Sequence, residues 1–228
     1  MNSGSLDAPI ALLLSGGLDS CILLGHLLEQ GRWVQPFYVR SDLVWQREEL
    51  AAVGGFLQAV DSTRLRDLVI LDLPLRDLYG DHWSVTGRDV PEATTPDNAV
   101  YLPGRNVLLV VKTAVWCQLH GIGELALGVL RSNPFADATD AFFDDFESAL
   151  ARAAGNRVHI VRPFAGLDKR QVMALGKRLP LDLTFSCISP AGGIHCGICN
   201  KCAERIAAFR LIDVDDPTEY AAGQVGMK

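Results

Sequence analysis

The stretch from Ile10 to Ser20 restricts the fold most. Ile10 to Leu14 is a short unbroken apolar run of the kind a buried parallel strand shows, and it passes directly into Ser15-Gly16-Gly17-Leu18-Asp19-Ser20. Helical spacing then runs from Leu18 to Gln30, which makes a strand, a glycine turn and a helix in succession. Two adjacent glycines let the backbone turn sharply and approach a ligand closely, while the next helix offers unpaired N–H groups and a partial positive charge. An anion belongs there. Ser15 and Ser20 can add hydroxyl donors to phosphate oxygens, and Asp19 either caps the helix or meets a Mg²⁺ that accompanies phosphates. A lone Gly-Gly would be explained as well by a tight connection. The whole hexapeptide matches neither the mononucleotide P-loop nor the dinucleotide fingerprint.

The rest of the chain alternates in the same way. Val34 to Val39, Leu68 to Leu73, Glu124 to Val129 and Val158 to Val161 read as strands. Gln46 to Val60, Val107 to His120, Asp140 to Ala153 and a helix capped by Asp168 and running to about Arg178 lie between and after them. Such alternation implies an α/β fold, a doubly wound parallel sheet covered on both faces, with ligands bound beyond the carboxyl ends of the strands. Pro74 to Leu102 and Pro180 to Cys202 resist regular assignment, and long irregular segments in a compact domain are usually functional or disordered.

The second of these segments holds an anomaly. Of six cysteines in 228 residues, Cys187, Cys196, Cys199 and Cys202 crowd into sixteen. That is too few for a disulfide scaffold, and four thiolates at this spacing suit a closed, structural Zn²⁺ site with no open position for water. An iron–sulfur cluster is the rival, since the x₂, x₂ spacing of the last three also occurs in ferredoxin-like runs; no proline follows the last cysteine, and the fourth ligand lies upstream. His195 reads as a neighbour of the metal and not a ligand. Cys21 and Cys117 fall within apolar helical patterns and read as core.

Lys and Arg number 21 against 27 Asp and Glu, a formal charge of -6. That is the wrong sign for a protein that grips a nucleic-acid backbone along a broad surface. Met1 to Ala8 is polar and unlike a secretory leader, and no apolar run approaches the ~20 residues that span a bilayer. The expectation is a cytoplasmic protein with a free small molecule as substrate.

Ser15 to Ser20, Leu102-Pro103-Gly104-Arg105-Asn106 before a helix, Lys169 on a late helix, and Thr184-Phe185-Ser186-Cys187 leading into the cysteine knuckle resemble, in that order, the 7-cyano-7-deazaguanine synthase family of the PP-loop ATP pyrophosphatase superfamily. The resemblance spans roughly residues 9 to 210. It implies a Rossmann-like domain of the adenine nucleotide alpha hydrolase type over 9–180 and a small zinc-binding appendage with a C-terminal helix over 181–228, in one compact unit. It implies an ATP-dependent carbon–nitrogen ligase that converts 7-carboxy-7-deazaguanine and ammonia to the nitrile on the way to queuosine. ATP then falls on Ser15, Gly16, Gly17, Leu18, Asp19 and Ser20, flanked by Leu14 and Cys21, with Mg²⁺ accompanying it. Zinc falls on Cys187, Cys196, Cys199 and Cys202. Arg105 and Lys169 become candidate cations for phosphate or carboxylate, with a surface arginine and a solvated helix lysine as the alternatives. Members of the family commonly form dimers.

One loop departs from the family's pattern. Where that pattern has an aspartate and then Pro-Asp-Cys-Arg-Pro, this chain has Asn133-Pro134-Phe135-Ala136-Asp137-Ala138-Thr139-Asp140: Asp137 remains a candidate catalytic residue, but Ala138 and Thr139 stand for the Cys and Arg, and the arginine that could clasp a carboxylate is absent. Arg131 is a candidate substitute. The departure leaves open a different carboxylate, deazapurine or protein acceptor, and behind that a tRNA-modifying enzyme. A non-catalytic nucleotide-binding module is the remaining alternative. Trp45, Trp83 and Tyr101 could stack on a purine-like ring or serve the interior.

Overall fold

The computed structural model describes residues 8–222; Met1 to Asp7, on which part of the leader expectation rests, and 223–228 of the expected appendage lie outside the described residues. The elements follow in the order β1 (Ile10–Leu13), α1 (Leu18–Glu29), β2 (Val34–Arg40), α2 (Gln46–Ala59), β3 (Val69–Asp72), one-turn helices α3 (Arg76–Tyr79) and α4 (Trp83–Thr86), α5 (Arg105–Leu119), β4 (Glu124–Ala126), α6 (Asp140–Ala154), β5 (His159–Val161), α7 (Lys169–Leu175) and α8 (Asn200–Arg210). The strands are parallel in the order β3-β2-β1-β4-β5. This is the doubly wound α/β arrangement that the alternation implied.

The period of two in β1 divides the core. Ile10, Leu12 and Leu14 pack with α1, α2, α7 and α8 through Leu23, Phe56, Val172 and Phe209, whereas Ala11 joins Val110, Phe143 and Ile160 under α5 and α6. β1 is therefore buried on both sides, as its unbroken apolar run requires. Pro36 sits inside β2 without disrupting the sheet, because β3 pairs with β2 only from Phe37 onward.

Several boundaries differ from the sequence expectation. α7 ends at Leu175 instead of near Arg178. The chain turns at Gly176, where a Cβ would lie 2.6 Å from Ile22 Cγ1, so that Leu179 can seat against Gly25 of α1. Pro180 then keeps α7 from resuming, and only a 3₁₀ turn at Leu181–Leu183 follows it. β4 stops at Ala126, short of the expected Val129, where its ladders to β1 and β5 end. Within the two irregular segments, Pro74 to Leu102 contains α3, α4 and a 3₁₀ turn at Asp97–Val100, and α8 begins at Asn200.

These segments pack against each other. Leu43, Trp45, Val85 and Leu102 share a separate apolar cluster with Phe185, Ile188, Tyr220 and the four clustered cysteines. Backbone bonds tie them further: Ala93 N–H donates to Ile198 O at 2.9 Å and Asn200 N–H to Pro91 O at 2.9 Å. No helix among the described residues is long and apolar enough to cross a membrane.

Candidate active site

The loop after β1 is shaped by its glycines. Gly16 has φ +77°, and a Cβ there would meet Glu49 O at 3.0 Å and Val53 Cγ2 at 3.2 Å, so any side chain would be both strained and crowded. Gly17 is the N-cap of α1 and supplies no side-chain cap. The hydroxyls of Ser15 and Ser20 lie 3.1 Å apart, and Ser20 also accepts from Ser15 N–H at 3.2 Å. The result is an uncapped helix start flanked by two hydroxyls, an arrangement that favours an anion. Leu14 and Cys21 flank this loop, but both side chains are buried in the core. The backbone N–H of Cys21 is spent on Gly17 O at 3.1 Å. Burial pushes its thiol far above the ordinary range.

The loop opens into a cleft of about 320 Å³ that brings together Ser15, Asp19, Glu49, Arg105, Lys169 and Glu204. A neighbouring hollow of about 340 Å³ shares the Asp19–Lys169–Glu204 wall and runs past Asn133 and Phe135. Both lie at the carboxyl ends of β1 and β4, the switch point of the sheet. Gly128, just past β4, comes so close to α1 that a Cβ would sit 3.2 Å from Ser20 N.

Lys169, the first residue of α7, reaches back 150 positions in sequence to Asp19, with Nζ 2.8 and 3.0 Å from the two carboxylate oxygens. It also reaches Glu204 Oε1 at 3.4 Å, whose other oxygen accepts from Lys201 at 2.6 Å. Burial opposes the charge on Lys169, but Asp19 and Glu204 outweigh it and hold the ammonium above its usual pKa. Burial likewise opposes ionisation of Glu204, and the two lysines overcome it, bringing the carboxyl down to about 2. Both groups are therefore ionised at neutral pH, and the chain of alternating charges is fixed. The α7 start is held by a full capping box between Asp168 and Gln171.

Arg105 opens α5 behind Gly104, whose φ of +72° sets the entry into the helix. Its Nε is buried without a hydrogen-bond partner among the described residues. Asp137 lines neither hollow; it is buried against α5, where Asn106 Nδ2 donates to its Oδ1 at 3.2 Å. Arg131 pairs with Asp168 at 3.7 Å on the exposed surface. The departing loop is braced instead by Arg162 from the end of β5, which donates to Ala138 O at 2.9 Å and pairs with Asp140. Trp45 is buried and stacks on Trp83 at 5.7 Å, and Tyr101 packs on Phe135 at 4.8 Å.

The four cysteines form a compact knot with all ligand atoms within 4.8 Å of one another and no disulfide. The Cys187–Cys199 and Cys196–Cys202 sulfur separations are 3.9 and 3.8 Å. A tetrahedral Zn²⁺ with Zn–S bonds of about 2.3 Å needs sulfur–sulfur edges of about 3.8 Å. An iron–sulfur cluster would interpose its irons and sulfides and hold the thiolates farther apart. Backbone N–H groups of Ser189 and Cys196 point at Cys187 Sγ, both at 3.3 Å, and favour the thiolate form. His195 is no fifth donor: its Nε2 accepts from Ser186 N–H at 3.1 Å.

The knot is coupled to the glycine loop. Two residues before Cys187, Phe185 N–H donates to Gly16 O at 2.8 Å. Arg205 on α8, 1% exposed, holds the same strap by donating to Leu181 O and Thr184 Oγ1, each at 2.8 Å, and also to Thr218 Oγ1 at 2.6 Å. Replacing Arg205 by methionine should destabilise the protein by roughly 3 kcal/mol, since it leaves several buried acceptors unpaired. Urea unfolding measures it. Reading the sequence residue by residue does not single out Arg205, Glu49, Glu204 or Gly128. Only Gly128 carries a local signal, a glycine at the carboxyl end of a strand.

A family model described as "Queuosine biosynthesis protein QueC" matches residues 10–213. A 7-cyano-7-deazaguanine synthase of Novosphingobium aromaticivorans is 32% identical over 236 residues, covering 97% of this chain and 99% of its own. A 7-cyano-7-deazaguanine synthase 1 of Desulfitobacterium hafniense is 31% identical over 208 residues, covering 89% and 91%. Among solved structures, a 4-thiouridine synthetase–RNA complex with bound ATP aligns over 90% of this chain and 50% of its own at 16% identity, with a TM-score of 0.49, too loose a likeness to carry an assignment. With the family model covering nearly the whole sheet, the cleft and the cysteine knot, this chain belongs to the family of the queuosine biosynthesis protein QueC.

Proposed function

We propose that this protein is an ATP-dependent ligase that converts 7-carboxy-7-deazaguanine and ammonia to 7-cyano-7-deazaguanine. The observation that carries this reading is the uncapped start of α1, with Ser15 and Ser20, opening into the same cleft as Arg105 and Lys169. The names of the relatives agree with it.

The chemistry suits those parts. A carboxylate resists ammonia until one oxygen becomes a leaving group. Transfer of AMP from ATP supplies one, and ammonia then gives the amide. A second adenylation, on the amide oxygen, permits loss of AMP to the nitrile. The residues contribute position and charge. The loop N–H groups and hydroxyls hold the phosphates, and Arg105, with its unpartnered Nε, offers a cation to phosphate or carboxylate. Lys169 balances the charge at Asp19. Magnesium, which travels with ATP phosphates and keeps most of its waters, would meet the chain at Asp19 as that carboxylate gives up a bond to Lys169. The Cys₄ knot suits structural zinc and takes no part in the chemistry.

A second reading keeps the ATP chemistry and changes the acceptor. It is favoured by the loop at Asn133 to Asp140, which departs from the family's pattern and whose Ala138 carbonyl is held by Arg162. Incubation with ATP, ammonium and a panel of carboxylates, followed by mass spectrometry, separates the two. The first predicts nitrile from the carboxydeazaguanine, and the second predicts AMP release with another member of the panel only.

A further inference from the structure

Glu49 is a carboxylate in the cleft that none of the chemistry above uses. It projects from α2 into the same space as Ser15, Asp19 and Arg105. Its backbone oxygen abuts Gly16. Unlike Asp19 and Glu204, it forms no ion pair among the described residues. Tyr38 on β2 donates to Oε2 at 3.0 Å, a neutral donor that orients the carboxyl. Trp45 at the start of α2 and Arg105 on α5 are the other polar groups that act on it.

Nitrile synthesis must dispose of protons within a cleft, and this account of Glu49 rests on that reading. We propose that Glu49 is the group that accepts those protons. When ammonia attacks the acyl adenylate, a C–N bond forms, the C–O bond to AMP breaks, and the new nitrogen carries a surplus proton. Glu49 takes it. In the second round the amide oxygen displaces pyrophosphate from the α-phosphorus of ATP and leaves a protonated imidate. Loss of one N–H proton gives the neutral imidate. Loss of the second, with its electron pair becoming the third C–N bond, expels AMP. Each proton passes through Glu49 to solvent, and no oxidant or reductant is required.

The surroundings suit that task. Burial pushes the carboxyl up to about 7, against the lowering influence of Arg105, Tyr38 and Trp45. A base poised near working pH is the most effective one. Burial pushes the Tyr38 phenol well above its usual range, so it stays a donor.

The test is Glu49→Gln assayed in two ways: ATP–pyrophosphate exchange with the carboxylate, which reads adenylation alone, and nitrile formation across pH. The expected result is exchange within a few-fold of wild type, which also shows that the variant is folded. Nitrile formation should fall about 100-fold or more. The rise of the wild-type rate through pH 7 should disappear, and Glu49→Asp should restore part of the rate. An unchanged pH profile, loss of exchange as well, or a raised KM for ATP at unchanged kcat would overturn the proposal. Wild-type protein that makes no nitrile contradicts the functional reading itself; wild-type nitrile with an unaltered variant contradicts only the role of Glu49.

Discussion

With the cysteine knot read as a structural zinc site, replacing Cys196 by serine should abolish metal binding there, lower the melting temperature by about 8–16 °C and weaken ATP binding at a loop that lies outside the knot. The first effect follows from ligand count: three thiolates and a hydroxyl hold Zn²⁺ far less tightly than four thiolates. The second follows from linkage. Structural zinc is worth roughly 10–16 kcal/mol in isolated knuckles, and losing only about 4 kcal/mol of it in a chain of this size shifts Tm by about 2–4 °C per kcal/mol. The third is specific to this fold. Phe185, whose N–H bonds Gly16 O, is only two residues from Cys187, so a released strap also releases the glycine loop. Metal analysis, calorimetry and ATP titration of the variant check all three. A metal-free variant with unaltered ATP affinity would separate the knot from the loop.

Lys169→Ala should reduce ATP–pyrophosphate exchange by about 10²–10³-fold, the range seen when one preorganised donor to developing charge is removed. Lys169 is the only cation that touches both Asp19 and Glu204 among the described residues. Without it, two neighbouring carboxylates face the place where triphosphate must sit. A pH effect accompanies this. Glu204 is held down at about 2, so its contribution to stability is fully present above its ordinary value near 4.5 and is lost as pH falls toward 2. In Lys169→Ala that contribution should be smaller and its loss complete at a higher pH, because one of the two cations that lower the Glu204 carboxyl is gone; acid unfolding curves of the two proteins measure the difference.

The sequence and the structure meet most closely where the signal is local. The apolar run at Ile10, the glycine pair and the alternation of strand and helix are statements about neighbours in sequence, and they yield the parallel sheet and the place of the cleft. The cysteine cluster is local too. What stays hidden is what joins distant segments. Lys169 has an ordinary helical setting in sequence, and only the fold brings it to Asp19. Arg205 looks like a solvent-facing residue of a polar helix, yet it is buried and ties Leu181 to Thr218. Glu49 is one of two adjacent acids at the start of α2, and nothing in their order says which one faces the loop. Pro74 to Leu102 reads as irregular because its apolar residues answer to a partner more than 80 positions away, the Phe185–Tyr220 cluster, instead of to a period of their own.

The most direct test of the central claim is to supply 7-carboxy-7-deazaguanine with both carboxyl oxygens replaced by ¹⁸O, together with ATP and ammonium, and to follow the label by mass spectrometry. If the cleft adenylates first the acid and then the amide, each nitrile is accompanied by two AMP, each carrying one ¹⁸O. Unlabelled AMP, or label appearing in inorganic phosphate, would contradict the account.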